Sequence, residues 1–228
     1  MTAKPVYLAM TTPLILKKDH LPPQDSVAVL DPTVFNHPIR RDILHLCVIH
    51  YRDSLRQGSA NTKTRGEVRG SGRKIRPQKG SGKARLGDAQ SPMLRGGGVA
   101  FGPRPRDFST KLPRKVIQMG MRVALSAKLK EKAFGLVEKH DWPSGKTKPL
   151  ANRIDHLGWR KTLLVTGERQ FPVGLERAGR NLAMVGMSTA DKLTVYDLLK
   201  WQRVVMDISA VDYFERTLSK NTPSPQSQ

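Results

Sequence analysis

The run Arg73-Lys74-Ile75-Arg76-Pro77-Gln78-Lys79-Gly80-Ser81-Gly82-Lys83-Ala84-Arg85 gathers the side chains best suited to chemistry on a polyanion. Lys and Arg neutralise phosphates and release counterions, and the Arg fork grips phosphates and base edges as a Lys point charge does not. Gly80-Ser81-Gly82-Lys83 invites a nucleotide reading, but a phosphate loop requires Gly, four residues, then Gly-Lys-Ser/Thr. Here Pro77 stands where the first Gly belongs and Ala84 where the magnesium-binding hydroxyl belongs, and no strong strand precedes them. The dinucleotide fingerprint fails as well, because Gly70-Ser71-Gly72 is followed by Arg73, Lys74 and Ile75 with no third Gly. His45, Cys47 and His50 share one predicted helix, yet positions 45 and 47 point to different sides, so they read as core and boundary residues. Glu138, His140 and Asp141 read as a solvated turn, and Trp142, Trp159 and Trp201 as packing residues. A single cysteine excludes a disulfide framework and a Cys-cluster zinc site, and suits a reducing compartment. No catalytic residue, metal ligand or cofactor is expected.

What remains is charge, and it is concentrated. The 228 residues carry 40 Lys and Arg against 19 Asp and Glu, a net charge of +21, with a pI near 10.6. Between Asn61 and Lys115 there are 15 Lys and Arg against 3 acids, so +12 of that charge lies in 55 residues, with 10 of the 19 glycines. Apolar residues there are few and follow neither a helical nor an alternating period, so the segment alone cannot bury enough surface to offset its ordering entropy. In isolation it is expected to be mobile. Glycines permit close backbone approach to a nucleic acid, and Gly96-Gly97-Gly98 with Pro103 and Pro105 set irregular turns. A charged solubility segment is the bland alternative. Against it, the segment is internal, and Ser91-Pro92-Met93-Leu94 and Val99-Ala100-Phe101 offer apolar anchors. Doubled back as a hairpin, ~50 residues at ~3.3 Å each reach at most ~80 Å, more than the diameter of the rest of the chain.

The flanks must carry this loop. Val27–Leu30 reads as a buried strand closed by Asp31-Pro32. Pro38 and Gly58 bracket a helix with Ile39, Ile43, Leu46, Cys47, Tyr51 and Leu55 at helical spacing. Pro113 opens a second helix, with Ile117, Met121, Ala124, Leu125 and Leu129 on one face and Gly135 as its stop. Strands are predicted over Thr162–Val165, Leu182–Val185 and Val204–Met206. Thr194-Val195-Tyr196-Asp197 has the pattern of a capping box, and Ser209-Ala210-Val211-Asp212 repeats it. Near-continuous apolar strands alternating with helices predict an α/β domain, three layers deep, with a mostly parallel sheet and the long basic Gly-rich loop extending from it. The domain reading is one α/β domain over 1–228, a loop inserted over 58–112 and a polar tail at 219–228. No run of about 18 apolar residues is long enough to cross a membrane. The first 16 residues resemble neither a secretory leader nor an Arg/Ser-rich transit helix.

Asn61-Thr62-Lys63-Thr64-Arg65-Gly66-Glu67-Val68-Arg69-Gly70, Gln78–Arg85, Ser91-Pro92 and Arg95-Gly96-Gly97-Gly98-Val99-Ala100-Phe101-Gly102-Pro103 closely resemble the extended loop of the universal large-subunit ribosomal protein L-four family. So does Leu125-Ser126-Ala127-Lys128-Leu129, and the likeness runs from about Gln57 to Lys130, with weaker similarity at Val34-Phe35-Asn36 and Thr194–Leu199. The resemblance implies a non-catalytic constituent of the large ribosomal subunit, with an α/β/α body and a loop threading ribosomal RNA to the nascent-peptide exit tunnel. Lys63, Arg65, Arg69, Arg73, Lys74, Arg76, Lys79, Lys83, Arg85, Arg95, Arg104, Arg106 and Lys111 are the residues it implies as RNA contacts. Ile75, Arg76, Pro77, Gln78, Lys79 and Gly80 are implied at the loop tip. Expected partners are large-subunit ribosomal RNA, the L-twenty-two family protein and other ribosomal proteins, and the nascent peptide, with no membrane and no small-molecule substrate. Ile75, Arg76 and Pro77 replace the Pro-Trp-Arg run of many relatives, so an aromatic stacking contact is absent. Pro77-Gln78, Leu86-Gly87-Asp88 and an insertion around Asp141–Asn152 look mitochondrial, so the mitochondrial matrix is the expected compartment and the cytoplasm of a bacterium the alternative. An α/β nucleotide-binding enzyme and a free RNA or DNA regulator are the competing function classes.

Overall fold

The computed structural model describes residues 5–12, 14 and 27–219. The expected tail at 219–228 therefore lies outside the described residues except for Ser219. Contacts divide the chain into two units, Met1–Tyr51 with Lys111–Gln228, and Arg52–Thr110.

In the first unit, strand β1 (Val6–Ala9) pairs antiparallel with β2 (Val27–Leu30), with Tyr7 opposite Val29. β2 is not the buried strand expected, because Val27 and Val29 are exposed and Ala28 and Leu30 face inward. A short helix α1 (Pro32–Phe35) follows, capped by the Asp31 carboxylate, which accepts from the Thr33 amide at 2.8 Å. Helix α2 (Arg41–Ser54) buries Ile43 and Cys47, while Leu46 is half exposed and Ile39 and Leu55 lie outside the helix. Helix α3 (Arg114–Lys130) starts at Pro113 as predicted.

The end of α3 corrects the sequence reading. Gly135 does not stop the helix; it lies inside β3 (Phe134–Val137). The chain leaves α3 at Lys132, whose φ of 56° is left-handed. The Ala133 amide donates to Lys128 O at 3.0 Å, as in a Schellman closure. Glycine usually fills that position and here Lys does, so the stop left no mark in the sequence. Gly135 has a different reason, since a Cβ there would lie 2.9 Å from Thr11 Oγ1, where the chain crosses β3.

Helix α4 (Thr147–His156), strand β4 (Thr162–Thr166), helix α5 (Val173–Gly179), strand β5 (Val185–Thr189), helix α6 (Val195–Lys200), strand β6 (Arg203–Asp207) and helix α7 (Ile208–Leu218) complete the unit. The sheet runs in the order β3-β6-β4-β5 and every pairing in it is parallel. Its side chains alternate between two cores. Phe134, Leu136, Leu163, Val165, Val204 and Met206 enter one, with Val34, Phe35, Met121, Leu125, Leu198 and Phe214 from the helices. Val137, Leu164 and Val205 enter the other, with Leu150 and Ile154 of α4 and Leu175 and Ala178 of α5. Burial on both faces is why these strands are apolar throughout, and it gives the three-layer α/β architecture.

Two caps fix the last helices. Thr194 and Asp197 form the predicted capping box, with the Asp197 amide donating to Thr194 Oγ1 at 3.2 Å. The second expected box is corrected: α7 is capped by Asp207, which accepts from Ala210 N at 2.7 Å, Gly167 N at 3.0 Å and Thr166 Oγ1 at 2.6 Å. One carboxylate thus ties the ends of β4 and β6 to the start of α7.

Candidate nucleic-acid interface

The second unit, residues 52–110, contains no long helix or strand beyond the end of α2. It is held by rungs between an outgoing and a returning segment. Arg106 N donates to Gly58 O at 3.1 Å, Thr62 N to Pro103 O at 3.1 Å, Val99 N to Lys63 O at 2.9 Å and Ile75 N to Gly87 O at 2.9 Å. An isolated bridge pairs Lys74 with Asp88, so residues 76–86 form the closed end. Gln90 fixes a detour of the returning segment, because its Nε2 donates to Val68 O at 2.7 Å and its O accepts from Gly98 N at 2.9 Å.

The glycines fall into two kinds. A Cβ on Gly98 would lie 2.3 Å from Arg65 N, on Gly97 1.9 Å from Ser91 O, and on Gly102 2.0 Å from Thr62 Oγ1. These three serve close approach of the loop to itself, as does Gly58, where a Cβ would lie 2.1 Å from Arg106 O. Gly66, Gly72, Gly80, Gly82, Gly87 and Gly96 face open space.

The acids are all occupied. Glu67 takes both guanidinium nitrogens of Arg104 at 2.9 Å and the Thr64 amide at 3.0 Å. Those bonds, Arg104 first, hold its carboxyl down at about 2. Asp88, buried, accepts from Arg65 Nη2 at 2.6 Å. Asp107 accepts from the Ser109 amide at 2.8 Å and hydroxyl at 2.6 Å, and Asp53 lies 3.6 Å from Arg56. The unit has 14 Lys and Arg against 4 Asp and Glu, a net charge of +10, so most of its cations keep no acid partner.

Of the expected RNA contacts, Lys63, Arg65, Arg69, Arg73, Lys74, Lys79, Lys83, Arg85, Arg95, Arg104, Arg106 and Lys111 are exposed, and Arg76 is half-buried. Arg65 and Arg104 are committed to Asp88 and Glu67. Arg106 covers one side of Phe108, its guanidinium 4.4 Å from the ring centroid, and Arg56 lies 3.5 Å from the same ring. Lys63, Arg69, Arg73, Lys79, Lys83, Arg85 and Arg95 make no ion pair among the described residues. Lys74 donates to Gln78 Oε1 within the expected tip. Lys111 falls in the first unit.

Two sequence expectations fail here. Met93 and Phe101 are not apolar anchors, because Met93 is 83% exposed and Phe101 wholly so. The buried residues of the loop are instead Asp88, Gln90 and Gly98. Nor do Glu138, His140 and Asp141 form a solvated turn. Glu138 and Asp141 are exposed, but His140 is buried, with its Nε2 3.1 Å from Val165 O, and that burial pushes its pKa below the ordinary value.

The phosphate-loop reading finds no support in the geometry. Gly80 and Gly82 lie in left-handed turns, and no helix starts after Lys83. A second Gly145-Lys146-Thr147 does open α4 behind β3, but His140 holds the place of its first Gly. Among the described residues no group of three His, Cys, Asp or Glu converges to hold a metal, and no helix is long and apolar enough to cross a membrane.

The model of the ribosomal protein L4/L1 family matches residues 28–217. The large ribosomal subunit protein uL4 of Maridesulfovibrio salexigens is 42% identical over 188 residues, 82% of this chain and 90% of that protein. The proteins of the same name from Desulfatibacillum aliphaticivorans and Desulforudis audaxviator are each 39% identical, over 81% and 83% of this chain and 89% and 91% of theirs. An α/β/α body, a basic loop closed by its own glycines, and a match covering most of both chains agree: the chain belongs to the ribosomal protein L4/L1 family.

Proposed function

We propose that the chain is a structural constituent of the large ribosomal subunit, with residues 58–112 inserted into ribosomal RNA. It is not an enzyme, as its family is structural. One observation carries the reading. Each acid of the basic unit is engaged by a neighbouring side chain or amide, which leaves eleven of its 14 cations without an ion pair among the described residues, on an irregular, Gly-rich backbone. Such a surface suits a partner that supplies phosphates at irregular positions, as folded ribosomal RNA does. Lys63, Arg69, Arg73, Lys74, Arg76, Lys79, Lys83, Arg85, Arg95, Arg106 and Lys111 are proposed to meet the RNA directly. Arg65 and Arg104 are proposed to brace the loop through Asp88 and Glu67 and to meet the RNA with the N–H groups those acids leave.

The expected tip, Ile75–Gly80, at the closed end of the loop, is proposed to face the peptide exit tunnel, beside the L-twenty-two family protein and the nascent peptide. Its place between the 75–87 rung and the far turn supports this. For the compartment, the three relatives above are bacterial and favour the cytoplasm of a bacterium. A mitochondrial ribosome is the second reading, carried by Pro77-Gln78, Leu86-Gly87-Asp88 and the segment 141–152. Co-sedimentation with large subunits through a high-salt wash tests the ribosomal assignment, and fractionation of the source cell separates the compartments.

A further inference from the structure

Phe101 is the odd residue of the basic unit. Its side chain is wholly exposed, and its backbone has a φ of 53°, a region bulky L-residues rarely enter. A surrounding frame holds it there. The Val99–Lys63 rung lies two residues before it and the Thr62–Pro103 rung two residues after. Between them Gly102 is pressed against Thr62 Oγ1 and Val99 Cγ1, so residues 100–102 bulge outward. The other aromatic ring of the unit, Phe108, is treated in the opposite way, with a guanidinium on it from Arg56 and another from Arg106. Phe101 has no ring or cation partner among the described residues. A strained backbone that places a bare ring in water points to a ligand for the ring.

We propose that Phe101 is a nucleobase-stacking residue, on which an unpaired base of large-subunit ribosomal RNA lies flat. The inference rests on the ribosomal reading above and deepens it. A protein partner is disfavoured because the ring rises from a unit of net charge +10, where phosphates must crowd once RNA is bound. A base–aromatic stack tolerates any base, and so fits a loop whose other contacts are electrostatic. With no Trp at positions 75–77, Phe101 supplies an aromatic platform elsewhere on the same loop.

The test is equilibrium binding of the full chain to bacterial large-subunit ribosomal RNA at several salt concentrations, with wild type, Phe101→Leu, Phe101→Tyr and Arg95→Ala. Leu keeps apolar bulk and removes the π-face, and an exposed position tolerates it. Phe101→Leu is expected to bind roughly 5- to 150-fold more weakly at every salt. Its slope of log affinity against log salt stays at the wild-type value, because no phosphate contact is lost. Phe101→Tyr stays close to wild type, and Arg95→Ala lowers the slope by about 1. Wild-type affinity in Phe101→Leu, or equal losses in the Leu and Tyr variants, overturns stacking while the ribosomal reading stands. A Phe101→Leu chain that binds naked RNA normally but is lost from assembled subunits assigns the ring to a protein and also overturns it. A wild type with no preference for this RNA over an unrelated RNA of equal length overturns both readings.

Discussion

Gly98→Ala isolates the device that closes the basic loop. The added Cβ would stand 2.3 Å from Arg65 N, 2.5 Å from Thr64 C and 2.7 Å from Arg65 Cα, all backbone atoms that cannot swing aside. Ordinary contact needs about 3.4 Å, so the two segments must part by roughly 1 Å. That separation strains the rung from Val99 N to Lys63 O and the bond from Gly98 N to Gln90 O, both 2.9 Å long. Each such bond contributes about 1 kcal/mol net, and overpacking of this kind costs about 1–3 kcal/mol. The loss falls on the loop, because neither bond touches the sheet. Native-state hydrogen exchange reads it directly: a cost of about 2 kcal/mol speeds exchange of the Val99 and Gly98 amides roughly 30-fold. The amides of β4 and β6 keep their rates and the melting temperature holds. Gly66→Ala is the control, since a Cβ there meets nothing within 4 Å. If Gly98→Ala exchanges like wild type, the crossing does not hold the loop. If Gly66→Ala does as much damage, the division of the glycines is wrong.

Two predictions concern the body. His140 is buried and its pKa lies below the ordinary 6.5, with burial outweighing the opposing pull of Asp207. The unfolded chain takes up a proton there below about pH 6.5 and the folded chain does not, so stability is level above that pH and falls as the pH drops below it, by up to ~1.4 kcal/mol per unit. Melting temperatures from pH 8 to 5 should follow that course, and His140→Gln should flatten it; an unchanged slope in the variant assigns the effect elsewhere. Asp207→Ala removes the cap of α7 and leaves the Ala210 and Gly167 amides without their acceptor. It should cost about 2–4 kcal/mol in chemical denaturation, and a loss under 1 kcal/mol would show that water replaces the carboxylate.

The parts of the fold legible in the sequence were those whose cause is local. β4 and β6 are apolar runs buried on both faces, Pro113 presets the backbone that enters α3, and Thr194-Asp197 is a cap written in side chains. The parts not legible depend on neighbours distant in sequence. β1 and β3 are short, and β3 carries a Gly chosen by Thr11 rather than by any turn. Helix α4 begins at Lys146 with no side-chain cap, so nothing marked it, and α5 follows Pro172, also uncapped. β5 lies three residues beyond its expected start because Leu182–Val185 is occupied by a turn, with Val185 N donating to Leu182 O at 3.1 Å. At the candidate interface, residue types and spacing located the basic loop. They did not reveal which arginines the acids claim, which glycines face inward, or that Phe101 faces out; each depends on a crossing between segments up to 48 residues apart.

The central claim is that the basic loop anchors the chain in the large ribosomal subunit. The most direct measurement compares the full chain with a variant in which residues 58–112 are replaced by a short flexible linker. Both are expressed in cells and followed through sedimentation of large subunits in a high-salt wash, with circular dichroism confirming that the variant keeps its α/β body. The full chain should stay with the subunit through the wash and the variant should leave it. Loss of the full chain from the subunit, or equal retention of the folded variant, would contradict the claim.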